Sequence, residues 1–155
     1  MKMNISIREA TNSDIPVLLD FQMKLASETE NLKLDPGTLE QGMRSLFNDP
    51  SKGLYYVAVA DGEIAGCHML TYEWSDWRNG TVYWLQSVYV RSEFRKHGIF
   101  KKMFNHLMDE IRDNPGIIGL RLYVDKSNER AQKVYAAMGM NGDHYSVFEW
   151  IKGQG

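Results

Sequence analysis

Arg95-Lys96-His97-Gly98 gathers two fixed cations, an imidazole and a glycine in one short run. Directly after it, Ile99, Phe100, Met103, Phe104, Leu107, Met108 and Ile111 recur at helical spacing, with Lys101, Lys102, Asn105, Asp109, Glu110 and Arg112 between them. The first turn of a helix has backbone N–H groups without intrahelical acceptors and a partial positive charge, so an anion is stabilised there. Gly98 permits close backbone approach, and Arg95 and Lys96 add charge. The chemistry implied is a seat for phosphate, in its simplest form a pyrophosphate. Other residues with chemical potential are scattered. Glu28 and Glu30 either draw a cation toward a pocket or are solvated loop charges. The run from Glu73 to Arg78 is aromatic for a loop: Trp74 and Trp77 either cover a pocket that takes an ammonium or pack on a partner subunit. Cys67 and His68 are neighbours on an expected strand, so they point to opposite faces and cannot form a nucleophilic pair. No metal-ligand spacing occurs in the chain.

The elements that must position these groups follow from side-chain period. Ile5 to Arg8 alternates as a first strand. Ser13 is an N-cap candidate for a helix burying Ile15, Leu18, Leu19, Leu25 and Ala26, ending in the polar run 27–31. Pro36-Gly37 punctuates, and Thr38 with Gln41 forms a capping-box pattern ahead of Leu39, Met43, Leu46 and Phe47. Leu54 to Ala60 is a buried strand, Asp61-Gly62 a hairpin turn, and Ile64 to Tyr72 its return strand. A loop over 73–80 leads to the central strand, Val82 to Val90, which Gln86-Ser87 interrupts in a way that suits a bulge. After the central helix, Asn114-Pro115-Gly116 stops the chain and Ile117 to Val124 is another strand. Ser127-Asn128 opens a last helix with Ala131, Val134, Tyr135 and Met138 on one face, ended by Gly139. Tyr145 to Ile151 alternates as a final strand.

That order, β-α-α-β-β-β-α-β-α-β, is a mixed α/β arrangement with a meander between helices, and it is not a doubly wound alternation. Across essentially the whole chain it resembles the GNAT superfamily of N-acetyltransferases, nearest in look to the diamine acetyltransferase-like branch. Arg95 to Phe100 is similar to that family's Q/R-x-x-G-x-G/A motif, with Phe100 where the motif has Gly or Ala. Gln86-Ser87-Val88-Tyr89-Val90 is similar to the family's fourth strand. Asn128, Ala131 and Tyr135 resemble its N-x-x-A-x-x-x-Y segment. The resemblance implies a central, mostly antiparallel mixed sheet flanked by about four helices, and transfer of acetyl from acetyl-CoA directly to a primary amine.

Residue roles follow from the same resemblance. Val88, Tyr89 and Val90 pair with the pantetheine arm, and the run Arg95, Lys96, His97, Gly98, Ile99, Phe100, Lys101 holds the pyrophosphate. Asn128 and Ala131 belong to the cofactor side, although Asn128 reads equally well as a helix N-cap. Tyr135 is the proton donor to the leaving thiolate; by spacing alone it is a residue of an amphipathic face. Glu28, Glu30, Glu73, Trp77 and Gln86 fall on the acceptor side. Diamine acetyltransferases carry a carboxylate where this chain has Gln86, so a base must lie at Glu28, Glu30 or Glu73, or water carries the proton away. The acceptor implied is a small molecule, a polyamine or amino-acid derivative. An amine on a protein or peptide and a non-catalytic CoA-binding module remain open as alternatives.

Composition bounds the rest. At 155 residues the expectation is one domain, residues 1–155, with a substantial core. A net charge of −2 argues against general nucleic-acid binding. Met1-Lys2-Met3-Asn4 leads into no apolar run, so neither a leader nor a transmembrane segment is expected. A single cysteine fits a reducing cytoplasm. The family resemblance also makes a homodimer an expectation.

Overall fold

The computed structural model describes residues 2–154. They form two compact units, Met1–Leu122 and Tyr123–Gly155. The first holds a five-stranded sheet in the order β1-β2-β3-β4-β5, with β1 at Ile5–Glu9, β2 at Leu54–Ala60, β3 at Glu63–Ser75, β4 at Gly80–Val90 and β5 at Ile117–Leu122. β1 to β4 pair antiparallel, and β5 joins β4 in parallel. A parallel neighbour needs a crossover, and α3 (Ile99–Asp113) supplies it.

Alternation along β2 sends side chains to two cores. Tyr55 and Val57 join Cys67 and Tyr89 beneath α1 (Ile15–Glu30) and α2 (Pro36–Asn48), against Ile15, Leu18, Phe21 and Met43. Ala58 and Ala60 face the other way, with Ala65, against Ile99 and Met103 of α3. Small residues on that second face let α3 lie close to the sheet. Within the Met1–Leu122 unit, helices therefore cover both faces of the sheet.

Local chemistry sets the helix starts. α1 is preceded by Asp14 and not by Ser13, because the buried Asp14 carboxylate takes the Thr11 N–H at 2.7 Å and both Arg8 guanidinium nitrogens, at 2.8 and 3.0 Å. At α2 the cap is Asp35, whose carboxylate accepts from the Thr38 N–H at 2.9 Å, with Pro36 in the first turn where its missing N–H costs nothing. Thr38 thus lies inside the helix it was expected to cap.

Two sequence expectations need correction. The loop expected over 73–80 shrinks to Asp76–Asn79, because β3 and β4 continue their ladder to the pair Ser75↔Gly80. The final strand expected over Tyr145–Ile151 is not formed: no strand follows Leu122 among the described residues. Alternating side chains make a strand only where a neighbouring backbone completes the ladder, and the described residues of that segment form no ladder. The second unit contains α4 (Glu129–Ala137), and none of its described residues is buried.

Candidate active site

The anion seat is built at the β4-to-α3 junction. Gly98 occupies the cap position of α3 in the left-handed region (φ 77°, ψ 16°), and no side chain caps the helix. The first intrahelical bond runs from the Lys102 N–H to the Gly98 carbonyl at 3.0 Å. The amides of Ile99, Phe100 and Lys101 therefore precede the ladder, as donors that the helix itself does not satisfy. A Cβ built on Gly98 would meet nothing within 4 Å. Lys96 is also left-handed, at φ 67°, and Lys96, His97 and Lys101 are all exposed. Open space above a glycine, uncapped amides and three basic side chains fit a phosphate group. Phe100 turns inward, its ring 6.1 Å from that of Phe104, so the absence of Gly or Ala there leaves the space above Gly98 open.

β4 supplies a second feature. It pairs with β5 only over Thr81–Leu85, so Gln86–Val90 runs on without a β5 partner. On the β3 side, Met69 faces Gln86 and Cys67 faces Tyr89, which leaves Ser87 and Val88 opposite the single residue His68. This is the bulge foreseen at Gln86-Ser87, with Ser87 at φ 54°. Gly66 sits two residues away, where a Cβ would come within 2.7 Å of the Tyr89 carbonyl. Val88 to Val90 have no β5 partner, and residues 91–98 connect them to the first turn of α3.

Arg95 makes three contacts. Its Nε donates to the Val90 carbonyl at 2.8 Å, a terminal nitrogen reaches Glu28 at 3.1 Å, and the guanidinium lies 5.5 Å from the Tyr89 ring centre. This ties the end of α1 to the end of β4. The Tyr89 hydroxyl, with Arg95 second, holds the Glu28 carboxyl below the usual range. Burial and Glu28 push the Tyr89 phenol up to about 12. Glu30 is exposed on the last turn of α1.

Glu73 is a cross-strand tie. It accepts from Trp84 Nε1 at 3.0 Å and pairs with Arg121 of β5. The Trp84 indole first, then Arg121, hold its carboxyl low, which weakens it as a proton acceptor. Gln86 donates from Nε2 to the Thr71 hydroxyl at 2.6 Å. Trp77 sits on the β3–β4 turn, 91% exposed. Among the described residues no cluster of three or more His, Cys, Asp or Glu could hold a metal ion, and Cys67 is buried, its thiol pushed up to about 12 by burial.

In the second unit, the Asn128 side chain accepts from the Ala131 N–H at 3.0 Å, which makes it the N-cap of α4. Tyr135 is half-buried, and burial raises its phenol above the ordinary tyrosine value. Sequence reasoning did not foresee the Arg95–Glu28 tie or the Glu73–Trp84–Arg121 tie. Both join residues far apart in the chain, and no local pattern announces them.

Comparison with known proteins bears on this arrangement. The profile of the Acetyltransferase (GNAT) family matches residues 20–140. Thialysine N-epsilon-acetyltransferase of Bos taurus is 30% identical over 146 residues, 87% of this chain and 83% of that protein. A possible acetyltransferase from Clostridium difficile 630 superposes with a TM-score of 0.90 at 40% identity, covering 95% of this chain and 97% of the other. A predicted acetyltransferase from Clostridium acetobutylicum, solved with acetyl-CoA, shares the fold at a TM-score of 0.74 and 16% identity, over 94% of this chain and 96% of that one.

Proposed function

Because the chain belongs to the GNAT family of acetyltransferases, we propose that it moves the acetyl group of acetyl-CoA directly onto a primary amine of a small cationic molecule. The observation that carries the proposal is the α3 N-terminus: uncapped amides and a left-handed Gly98 with open space above it, preceded in the chain by a stretch of β4 that has no β5 partner. In this reading the amides of Ile99, Phe100 and Lys101 hold the pyrophosphate, with Lys96, His97 and Lys101 adding charge. Arg95 braces the end of β4 through Val90 and Glu28, and turns a donor toward phosphate only by releasing Glu28. The backbone of Val88 to Val90 pairs with the pantetheine arm.

Bound acetyl-CoA supplies an activated thioester; the chain's own groups position it and manage protons. A backbone N–H at the Val88 bulge polarises the thioester carbonyl. Tyr135, its phenol held neutral well above pH 7, gives its proton to the departing thiolate. Asn128 caps α4 and so aligns the turn that carries Ala131, on the cofactor side of that helix. Glu28 and Glu73 are held low, which weakens both as proton acceptors and leaves Glu30 or water to take the amine's proton. Glu28 and Glu30 concentrate a cationic acceptor near the end of α1, with Trp77 and Gln86 on the same acceptor side. The relative's action on thialysine, an amine on a short charged chain, supports this substrate class. The reading treats residues 1–155 as one catalytic domain, working as a homodimer in a reducing cytoplasm, with no nucleic-acid or membrane partner. No helix among the described residues is long and apolar enough to cross a membrane.

The test is release of free CoA against a panel of diamines, polyamines, lysine analogues and lysine-containing peptides. The expected result is the highest kcat/KM for a small cationic amine. The double variant Glu28→Gln/Glu30→Gln should raise the acceptor KM several-fold at low salt and blunt its salt dependence. Preference for peptide amines would overturn the substrate class, and binding of CoA with no turnover on any amine would overturn the catalytic reading.

A further inference from the structure

Among the described residues, Ser87 is the one non-glycine inside a strand with a positive φ, 54°. A side chain in the left-handed region is strained, and it stays there only where its surroundings hold it. The holding group is Cys67 of β3. Its thiol lies 3.5 Å from the Ser87 carbonyl oxygen. Gln22 of α1 donates from Nε2 to the same sulfur at 3.8 Å, and the Tyr89 N–H also points at it. With those donors on the sulfur, its own hydrogen is left for the Ser87 carbonyl. Burial keeps the thiol protonated, so that hydrogen is there to give. The Ser87 hydroxyl is a hydrogen-bond partner of the Tyr55 phenol. Gln22, Tyr55 and Cys67 are all buried, so bulk water does not compete for these bonds.

The Ser87 carbonyl and the Val88 N–H belong to one peptide unit. In a planar trans unit the C=O and N–H point in opposite directions. Turning the carbonyl toward Cys67, in the core beneath α1, therefore turns the Val88 N–H the other way. That N–H is the group that polarises the thioester carbonyl in the reading above. We propose that Cys67 is a positioning residue for acetyl transfer: its S–H holds the Ser87 carbonyl and so aims the Val88 N–H at the thioester oxygen. The thiol itself takes no part in bond making, since a buried, protonated sulfur is not a nucleophile. The inference rests on the acetyl-transfer reading and adds the side chain that sets the direction of its oxyanion donor.

The experiment compares Cys67→Ala with Cys67→Ser in the full chain. Both remove the sulfur and leave a similar small void, but only serine keeps a hydrogen to donate. Release of CoA is followed with acetyl-CoA and the best amine of the panel, beside CoA affinity by calorimetry and thermal melts. Cys67→Ala should lower kcat about ten- to a hundredfold, short of the roughly 10²–10³-fold cost of losing an oxyanion donor outright. CoA affinity and the amine KM should stay within about twofold. Cys67→Ser should return kcat to within about threefold of wild type while its Tm stays no higher than that of Cys67→Ala. A kcat that follows Tm in both variants, or a serine variant as slow as the alanine one, overturns the positioning role. Gln22→Met leaves the sulfur in place but frees its hydrogen to turn, and should lower kcat about two- to fivefold at unchanged KM. This variant decides the question if Cys67→Ala does not fold, and an unchanged kcat in it overturns the role. Wild type that turns over no amine overturns the acetyl-transfer reading. Wild type that turns over, beside a Cys67→Ala variant of equal kcat, overturns the role of Cys67 alone, so the two failures are distinguishable.

Discussion

Gly98→Ala separates what Gly98 does for the fold from what it does for the ligand. In the folded protein the new methyl meets no atom within 4 Å, so the substitution carries no steric penalty. What remains is backbone strain at φ 77°, about 1–2 kcal/mol for an L-residue in the left-handed region. For a chain of this size each kcal/mol lowers Tm by roughly 2–4 °C, which predicts a drop of roughly 2–8 °C. The space the methyl enters is the space a pyrophosphate would occupy over the Ile99–Lys101 amides. Losing one charge-assisted hydrogen bond costs about 1.5–3 kcal/mol, so CoA affinity should fall roughly tenfold to a hundredfold. Gly98→Asn is the control: asparagine tolerates the left-handed region, so much of the Tm should return while CoA affinity stays low. Calorimetric titration with CoA, beside thermal melts of the three proteins, gives both numbers. Unchanged CoA affinity in Gly98→Ala would refute the placement of phosphate at this turn. Affinity that recovers in Gly98→Asn along with Tm would show that the loss came from the backbone alone.

Tyr135→Phe should lower kcat about 10²–10⁴-fold while CoA affinity holds, and turnover near wild type would remove Tyr135 from the chemistry. The raised phenol pKa places any alkaline loss of this role above the ordinary tyrosine range. His68 predicts a pH effect on stability. Burial first, then the charge of His106, lowers its pKa from 6.5 to about 4, and Nε2 has no hydrogen-bond partner. A depressed folded-state value favours the neutral ring. Its contribution is present above pH 6.5 and is lost as pH falls from 6.5 toward about 4, by up to about 1.4 kcal/mol per pH unit. His68→Leu should flatten that limb in urea titrations at pH 7 and pH 5, and an unchanged slope would place the acid sensitivity at another group.

The sequence determined whatever is written in neighbours along the chain. Helical spacing from Ile99 to Ile111, the Asp61-Gly62 turn and the Asn114-Pro115-Gly116 stop are local signals, and each element appears where they put it. The Gly98 turn was legible for the same reason: a glycine after two basic residues, ahead of an amphipathic helix, needs no distant partner to be recognised. So was the bulge, since two polar residues interrupt an apolar strand at Gln86-Ser87. Tertiary structure decided what depends on residues far apart. The fold alone joins Arg95 to Glu28, on another element. The fold alone brings Trp84 of β4 and Arg121 of β5 to the Glu73 carboxylate. Asp14 displaces Ser13 before α1 because Arg8 of β1 reaches it. Tyr145 to Ile151 shows the limit most plainly. Its alternation is complete in the sequence, yet a strand is a property of two backbones, and the alternation of one segment does not supply the other.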